Sequence, residues 1–310
     1  MEKRRIGNSG LEIAPLALGG NVFGWTANEA ASFAVLDAFV DAGGTMIDTA
    51  DVYTAWVPGH SGGESETVIG RWLKRSGKRD QVVIATKVGF MAGLAPATIG
   101  PACDASLQRL GIDCIDLYYQ HKDDETVPLA DSLGAFEELK KHGKIGAIGL
   151  SQYTAERVDE AIQVVEKEGF TRPCALQTWY NLVEREKLEG PLRDAAVKHG
   201  LGILPFYSLA NGFLTGKYRT KDDLGKSVRG MRNAEYLEGR GMRVLAALDE
   251  VAAETGAALA TVTLAWTMAQ PGIAAPIASA TRVEQLAELI AALALELTPG
   301  QIERLTAASA

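Results

Sequence analysis

Seven glycines mark the joins between helix-like and strand-like stretches of this chain. Gly43, Gly77, Gly111, Gly143, Gly169, Gly200 and Gly272 each stand just ahead of an apolar run. A helix that must reverse into a strand ends at least cost in the left-handed conformation, which glycine adopts without strain. The apolar runs are continuous rather than alternating: residues 15–20 (PLALGG), 46–48 (MID), 81–87 (QVVIATK), 115–121 (IDLYYQH), 145–151 (IGAIGLS), 175–179 (ALQTW), 202–207 (GILPFY) and 273–278 (IAAPIA). Continuous apolar strands indicate a parallel sheet covered by helices on its outer face. Eight strands alternating with helices in 310 residues predict an α/β fold, a single (β/α)8 TIM barrel spanning 1–310.

The flanking signals fit that plan. Arg4 to Ala14 reads as a β-hairpin turning at Asn8-Ser9-Gly10, placed to close the N-terminal end of the barrel. Capping-box patterns begin at Thr26, Ser61 and Thr281, each with Glu three residues later. Pro191 to His199, Leu259 to Met268 and Gln301 to Ala307 are further helical stretches. Lys217 to Arg240 is a long polar insert after the seventh strand, and such inserts are usually lids or disordered loops. A flexible loop is expected there.

Composition narrows the function. A net charge of −8 disfavours nucleic acid or an anionic membrane as a main partner. The segment MEKRRIGNSG lacks the apolar core of a signal peptide and no run of about 18 apolar residues occurs, so a cytoplasmic location is expected. Cys103, Cys114 and Cys174 have neither metal nor redox spacing and read as reduced, buried thiols. The four histidines (His60, His121, His142 and His199) are scattered, so no metal site is expected.

In such a barrel the active site lies at the C-terminal ends of the strands. That rim carries Asp48, Lys87, His121, Ser151, Gln177 and Tyr207, with Tyr53 on the loop after Asp48. Singly, each has a commoner structural explanation; together on neighbouring strands they suit proton donation to a carbonyl. A tyrosine with a pKa of about 10 is a sluggish acid at neutral pH, and a nearby ammonium lowers that value. Lys87 supplies the ammonium, Asp48 its counter-charge, and His121 a group to orient the carbonyl oxygen.

IDTADVY, VVIATKVG, LGIDCIDLYYQH, KIGAIGLSQY, LQTWYNL and FYSLANGFLTGKY together resemble the aldo-keto reductase family, over roughly Arg4 to Leu305. The resemblance implies a (β/α)8 barrel that reduces aldehydes and ketones with NADPH, with Asp48, Tyr53, Lys87 and His121 as catalytic tetrad. It places the nicotinamide carboxamide on Ser151 and Gln177 and the ring against Tyr207. Ser208, Leu209, Gly212 and Lys217 match its pyrophosphate loop, and Arg282, Gln285 and Glu288 its adenosine site. The chain departs from the family pattern in lacking a proline between Ser208 and Leu209. It also has Ala278-Ser279-Ala280-Thr281 ahead of Arg282, and Leu289 where asparagine is frequent. Arg282 favours NADPH by pairing with a 2′-phosphate, and NADH is the alternative. Phe23, Trp25, Trp56 and Phe90 could wall the substrate site and suit apolar or aromatic carbonyls. No obligate protein partner is expected. The competing reading is a cofactor-binding regulatory subunit with little turnover, as some members of the family are.

Overall fold

The computed structural model describes residues 2–310. A two-stranded antiparallel hairpin, β1 (Arg4–Arg5) and β2 (Glu12–Ile13), opens the chain. Eight parallel strands follow: β3 (Ala17–Gly19), β4 (Met46–Asp48), β5 (Val83–Val88), β6 (Ile115–Gln120), β7 (Ile145–Ser151), β8 (Ala175–Trp179), β9 (Gly202–Phe206) and β10 (Ile277–Ala278). Neighbours in sequence are neighbours in space, and β10 returns to pair with β3. The last seam closes through an Ile203–Ile273 bridge, where the Ala274 amide donates 2.8 Å to the Ile203 carbonyl. The result is the expected (β/α)8 barrel.

The surrounding helices are α1 (Glu29–Asp41), α2 (Glu64–Ser76), α3 (Pro96–Leu110), α4 (Leu129–Lys141), α5 (Ala155–Glu168), α6 (Pro191–Lys198), α7 (Arg240–Thr255), α8 (Leu259–Met268), α9 (Val283–Ala291) and α10 (Pro299–Ala308). All seven joining glycines have φ between +65° and +88°, as the helix-to-strand reversal requires. None of these helices is long and apolar enough to cross a membrane.

The hairpin plugs the bottom. Ile6 and Ile13 are fully buried against the lower barrel interior, which includes Ala17, Met46, Leu117 and Tyr119. Outside the strands, Trp72 and Trp266 anchor the two halves of the helix–sheet layer, both fully buried. Large aromatics contribute most per residue to such a layer because each removes about 150–250 Å² from water.

The helix starts differ from the expected capping boxes. Asn28, not Thr26, caps α1, its side chain accepting from the Ala31 amide at 2.9 Å, because the helix begins only at Glu29. At α2 the cap is Gly63 at φ +85°, and only the return half of the box forms, from the Ser61 amide to Glu64 Oε1 at 2.9 Å. At α9 the Thr281 amide and hydroxyl both donate to Gln285 Oε1 at 3.0 Å, since the helix starts after Arg282. Helix α7 was not among the expected elements, although Val244, Leu248 and Val251 give it a buried stripe. Gly239 and Gly241 flank its start and no side chain caps it, so its N-terminus carries no sequence signal.

The polar insert is folded as 3-10 turns at Lys221–Lys226 and Gly230–Leu237, after an earlier one at Ala210–Thr215. Leu224, Asn233 and Tyr236 anchor it by burial, with Tyr236 against Phe213 at 5.3 Å.

Candidate active site

The strand register brings the rim residues to one mouth. Asp48 ends β4, Lys87 is the penultimate residue of β5, His121 follows β6, Ser151 ends β7, Gln177 lies in β8 and Tyr207 follows β9. Ser151 pairs directly with Gln177, and Lys87 with Tyr119. Lys87 is the centre of the constellation. Its ammonium donates to Asp48 Oδ2 at 2.7 Å, to the Thr49 carbonyl at 2.7 Å and to the Tyr53 hydroxyl at 2.9 Å. All three donors of the ammonium are therefore used. Asp48 is held from its other side by Gln177, whose Nε2 donates to Oδ1 at 2.8 Å.

Lys87 and Asp48 are almost completely buried, at 0% and 1% exposure, and burial of that kind is tolerable only for a paired and hydrogen-bonded charge. Burial pulls the Lys87 pKa down, against the opposing attraction of Asp48. Burial, and then the Asp48 carboxylate, push the Tyr53 hydroxyl well above its ordinary value. This corrects the expectation that Lys87 would lower it. Withdrawal of the phenol from water is the larger cause, and the neighbouring Asp48 carboxylate adds to it. Tyr53 therefore stays protonated at neutral pH. Burial, then the Lys87 charge, hold the His121 pKa well below its usual value, so its ring is neutral.

Asp51 stands beside this group without joining it. Its amide donates to the Lys87 carbonyl at 3.2 Å, and burial, then Glu66, push its carboxyl up to about 7.

The residues assigned to the nicotinamide end fit such a group. The Ser151 hydroxyl and His121 Nδ1 are buried with no partner, the kind of orphaned polar atom that a bound polar ligand satisfies. Tyr207 takes a strained φ of +54° and packs its ring 4.4 Å from Trp179. Ala210, Asn211 and Gly212 also have positive φ, and strain of this kind clusters at ligand-holding turns. Ser208 spends its hydroxyl on the Pro205 carbonyl at 3.0 Å, which leaves its amide and the half-buried Leu209 as the turn's contribution. Lys217 is exposed beside Gly212, its ammonium 5.0 Å over the Tyr218 ring. Arg282 and Glu288 are exposed on the first turns of α9 and its approach, with Arg282 3.7 Å from Glu284; Gln285 is engaged with Thr281. Their side chains make no hydrogen bond to the tetrad.

The aromatic wall is partly as expected. Trp25 meets Trp56 edge-on at 5.6 Å, Trp56 meets Tyr53 at 6.2 Å, and Phe90 lies 4.9 Å from His121. Trp56 and Phe90 are about half exposed, at 49% and 47%. Phe23 is the exception. It is fully buried in the helix–sheet core and offers no surface to a substrate.

Three participants were not expected. Thr49 acts through its carbonyl, so its side chain carries no signal. Trp179 ends β8 in a motif already singled out, but its tilted ring contact with Tyr207 is a tertiary one. Arg229 places its guanidinium 5.0 Å over the Trp25 ring from within the polar insert. A separate open cleft of about 610 Å³ lies at the opposite, N-terminal end of the barrel, lined by Arg79, Asp113, Cys114 and Asp116 among others. It contains none of the rim residues, and its exposure makes the half-buried Cys114 a correction to the expectation of three buried thiols.

Comparison with known proteins agrees with this arrangement. The family model described as "Aldo/keto reductase family" matches residues 15–310. "Aldo-keto reductase str7" of Strobilurus tenacellus is 33% identical over 306 residues, covering 96% of this chain and 86% of that one. "Aldo-keto reductase yakc [NADP(+)]" of Schizosaccharomyces pombe (strain 972 / ATCC 24843) is 29% identical over 317 residues, covering 97% and 89%. A protein of Oryza sativa subsp. japonica named "Probable voltage-gated potassium channel subunit beta" is 30% identical over 323 residues, covering 99% and 96%. An eight-stranded barrel, a buried Asp–Lys pair aimed at a tyrosine, and a family match over nearly the whole length lead to one conclusion: this chain belongs to the aldo/keto reductase family of oxidoreductases acting on carbonyls.

Proposed function

We propose that the protein reduces aldehydes or ketones to alcohols with NADPH, using Tyr53 as the general acid. The observation that carries this reading is the single ammonium of Lys87 bonded at once to Asp48 and to the Tyr53 hydroxyl. When bound, the reduced nicotinamide supplies a hydride to the carbonyl carbon. Tyr53 gives its proton to the carbonyl oxygen as negative charge develops there. The alkoxide is a far stronger base than a phenolate, so a raised phenol pKa keeps the acid loaded without preventing transfer. The phenolate left behind is held by Lys87, which Asp48 keeps charged and fixed. Neutral His121 donates one ring N–H to the same oxygen and orients it.

Ser151 and Gln177 would hold the carboxamide, Tyr207 the face of the ring, and the strained turn at 208–212 with Lys217 the phosphates. NADPH is favoured over NADH because Arg282 is exposed, with only an outer contact to Glu284, and can take a 2′-phosphate. The name of the Schizosaccharomyces relative also points to NADP. Replacing Tyr53 by Phe should remove turnover while leaving NADPH affinity intact by fluorescence titration. Full activity in that variant would rule out the assigned acid.

The similarity to the rice protein named as a channel subunit keeps one other reading in view, a nucleotide-binding regulatory subunit. A stable partner on size exclusion combined with negligible turnover would favour it. The intact tetrad supports catalysis.

A further inference from the structure

We propose that Glu64 is a positioning residue for carbonyl reduction, clasping both ends of the loop 54–61 so that Tyr53 is held on Lys87 and Trp56 over the mouth. This deepens the carbonyl-reductase reading above and rests on it. The first turn of α2 lies behind the site, and three consecutive residues of it reach threonines that adjoin the tetrad in sequence. Glu64 Oε2 accepts from the Thr54 hydroxyl at 2.5 Å, the Ser65 hydroxyl meets that of Thr49 at 2.8 Å, and Glu66 Oε1 accepts from the Thr86 hydroxyl at 2.6 Å. Thr54 follows Tyr53, Thr49 follows Asp48 and Thr86 precedes Lys87. All three threonines are fully buried.

Of these three bonds, that of Glu64 has the most to hold. Thr54 has a φ of +74°, and a β-branched side chain in the left-handed region is a genuine outlier. Such strain persists only where surrounding contacts over-determine it. Here those contacts are the hydroxyl bond to Glu64 and the Val57 amide, which donates to the Thr54 carbonyl at 2.8 Å. The other Glu64 oxygen accepts from the Ser61 amide at 2.9 Å, so one carboxylate ties the first residue of the loop to its last. Burial alone would raise the Glu64 carboxyl, but the bonds from Thr54 and Ser61 prevail and hold it below its usual value, so the clasp is charged at neutral pH. At Gly62 the returning chain comes so close that an added Cβ would lie 2.8 Å from the Asp51 carbonyl. Trp56, between the two tied ends, meets Tyr53 at 6.2 Å and Trp25 at 5.6 Å. A backbone that relaxed at Thr54 would shift Tyr53, whose hydroxyl lies 2.9 Å from the Lys87 ammonium. Release of the Ser61 end would loosen Trp56 alone.

The test assays wild type, Glu64→Ala and Glu64→Gln with NADPH, and repeats the alanine change in a Thr54→Gly background, with benzaldehyde and propanal as substrates. Glycine takes a positive φ without strain, so it removes the need for the Thr54 half of the clasp. Glu64→Ala should lower kcat for both aldehydes by about tenfold, within the range of the strain it releases. It should also raise KM for benzaldehyde, whose ring would meet Trp56, more than KM for propanal. In the Thr54→Gly background the same change should cost little in kcat while the KM effect remains. Gln, which can accept from the Ser61 amide and donate to the Thr54 oxygen, should recover most of both losses. Thr54→Val, which keeps the strain and deletes the hydroxyl, should repeat the kcat loss, and it carries the test if Glu64→Ala does not fold. Unchanged kcat in these variants, or a loss just as large in the Thr54→Gly background, would overturn the proposal. Hydrogen–deuterium exchange separates this from failure of the reductase reading. Faster exchange over 54–61 in Glu64→Ala, with the rest of the chain as in wild type, supports the clasp even if neither aldehyde turns over, and unchanged exchange there overturns it.

Discussion

Gln177 Nε2 donates 2.8 Å to Asp48 Oδ1, while Lys87 occupies Asp48 Oδ2 at 2.7 Å. The two oxygens of one buried carboxylate are thus held from different strands, and Gln177 retains its oxygen and its second amide N–H for other partners. On the proposed reading, cofactor grip and tetrad geometry would meet in one side chain. Gln177→Met would leave Oδ1 buried and unpaired, at a cost of about 1–3 kcal/mol. The expected outcome is a fall of about tenfold in kcat as well as weaker cofactor binding. Stopped-flow single turnover at saturating NADPH separates the two, and a variant impaired only in cofactor affinity would refute the coupling.

The pH dependence follows from the two shifted groups. His121 is held neutral by burial and Lys87, so no loss of rate should accompany the usual histidine range. Tyr53 must be protonated to act, and burial and Asp48 raise its pKa, so deprotonation should not limit the rate below the usual tyrosine value. Reduction should therefore hold a plateau from about pH 6 to about pH 9. A kcat profile that breaks near pH 6.5 would contradict the neutral assignment of His121.

Gly149 of β7 lies under the Tyr119 ring, where an added Cβ would overlap the ring atoms. Gly149→Ala should cost at least about 1–3 kcal/mol, the usual range for overpacking a barrel interior. Gly134, inside α4, would place an added Cβ in ordinary contact with the Phe170 ring at 3.5 Å, so Gly134→Ala should stabilise by about 0.5–1 kcal/mol. Urea midpoints of the two variants should move in opposite directions.

The thiols should be unequal. Burial pushes Cys103 up to about 12 and Cys174 up to about 11, whereas Cys114 is half-buried beside the lower cleft. Ellman's reagent at pH 8 should label about one thiol per native chain, because reaction requires an accessible thiolate. Labelling of all three at the rate of unfolded protein would contradict the burial.

The pattern of apolar runs and joining glycines was enough to specify a parallel eight-stranded barrel. Period and backbone handedness are local properties, and each βα join repeats the same requirement. Strand-end position likewise placed Asp48, Lys87, His121, Ser151 and Gln177 at one mouth. Local signals failed where the chain's identity does not constrain its neighbours. The start of α7 has no cap, Phe23 has the same composition cue as Trp25 yet turns into the core, and Thr49 contributes a backbone oxygen. The sign of the Tyr53 shift also lay beyond the sequence, because it depends on how completely the fold withdraws the phenol from water and sets it beside Asp48. The same is true of Arg229. A guanidinium in a polar insert reads as a solvated charge until the fold withdraws it from water and sets it over Trp25.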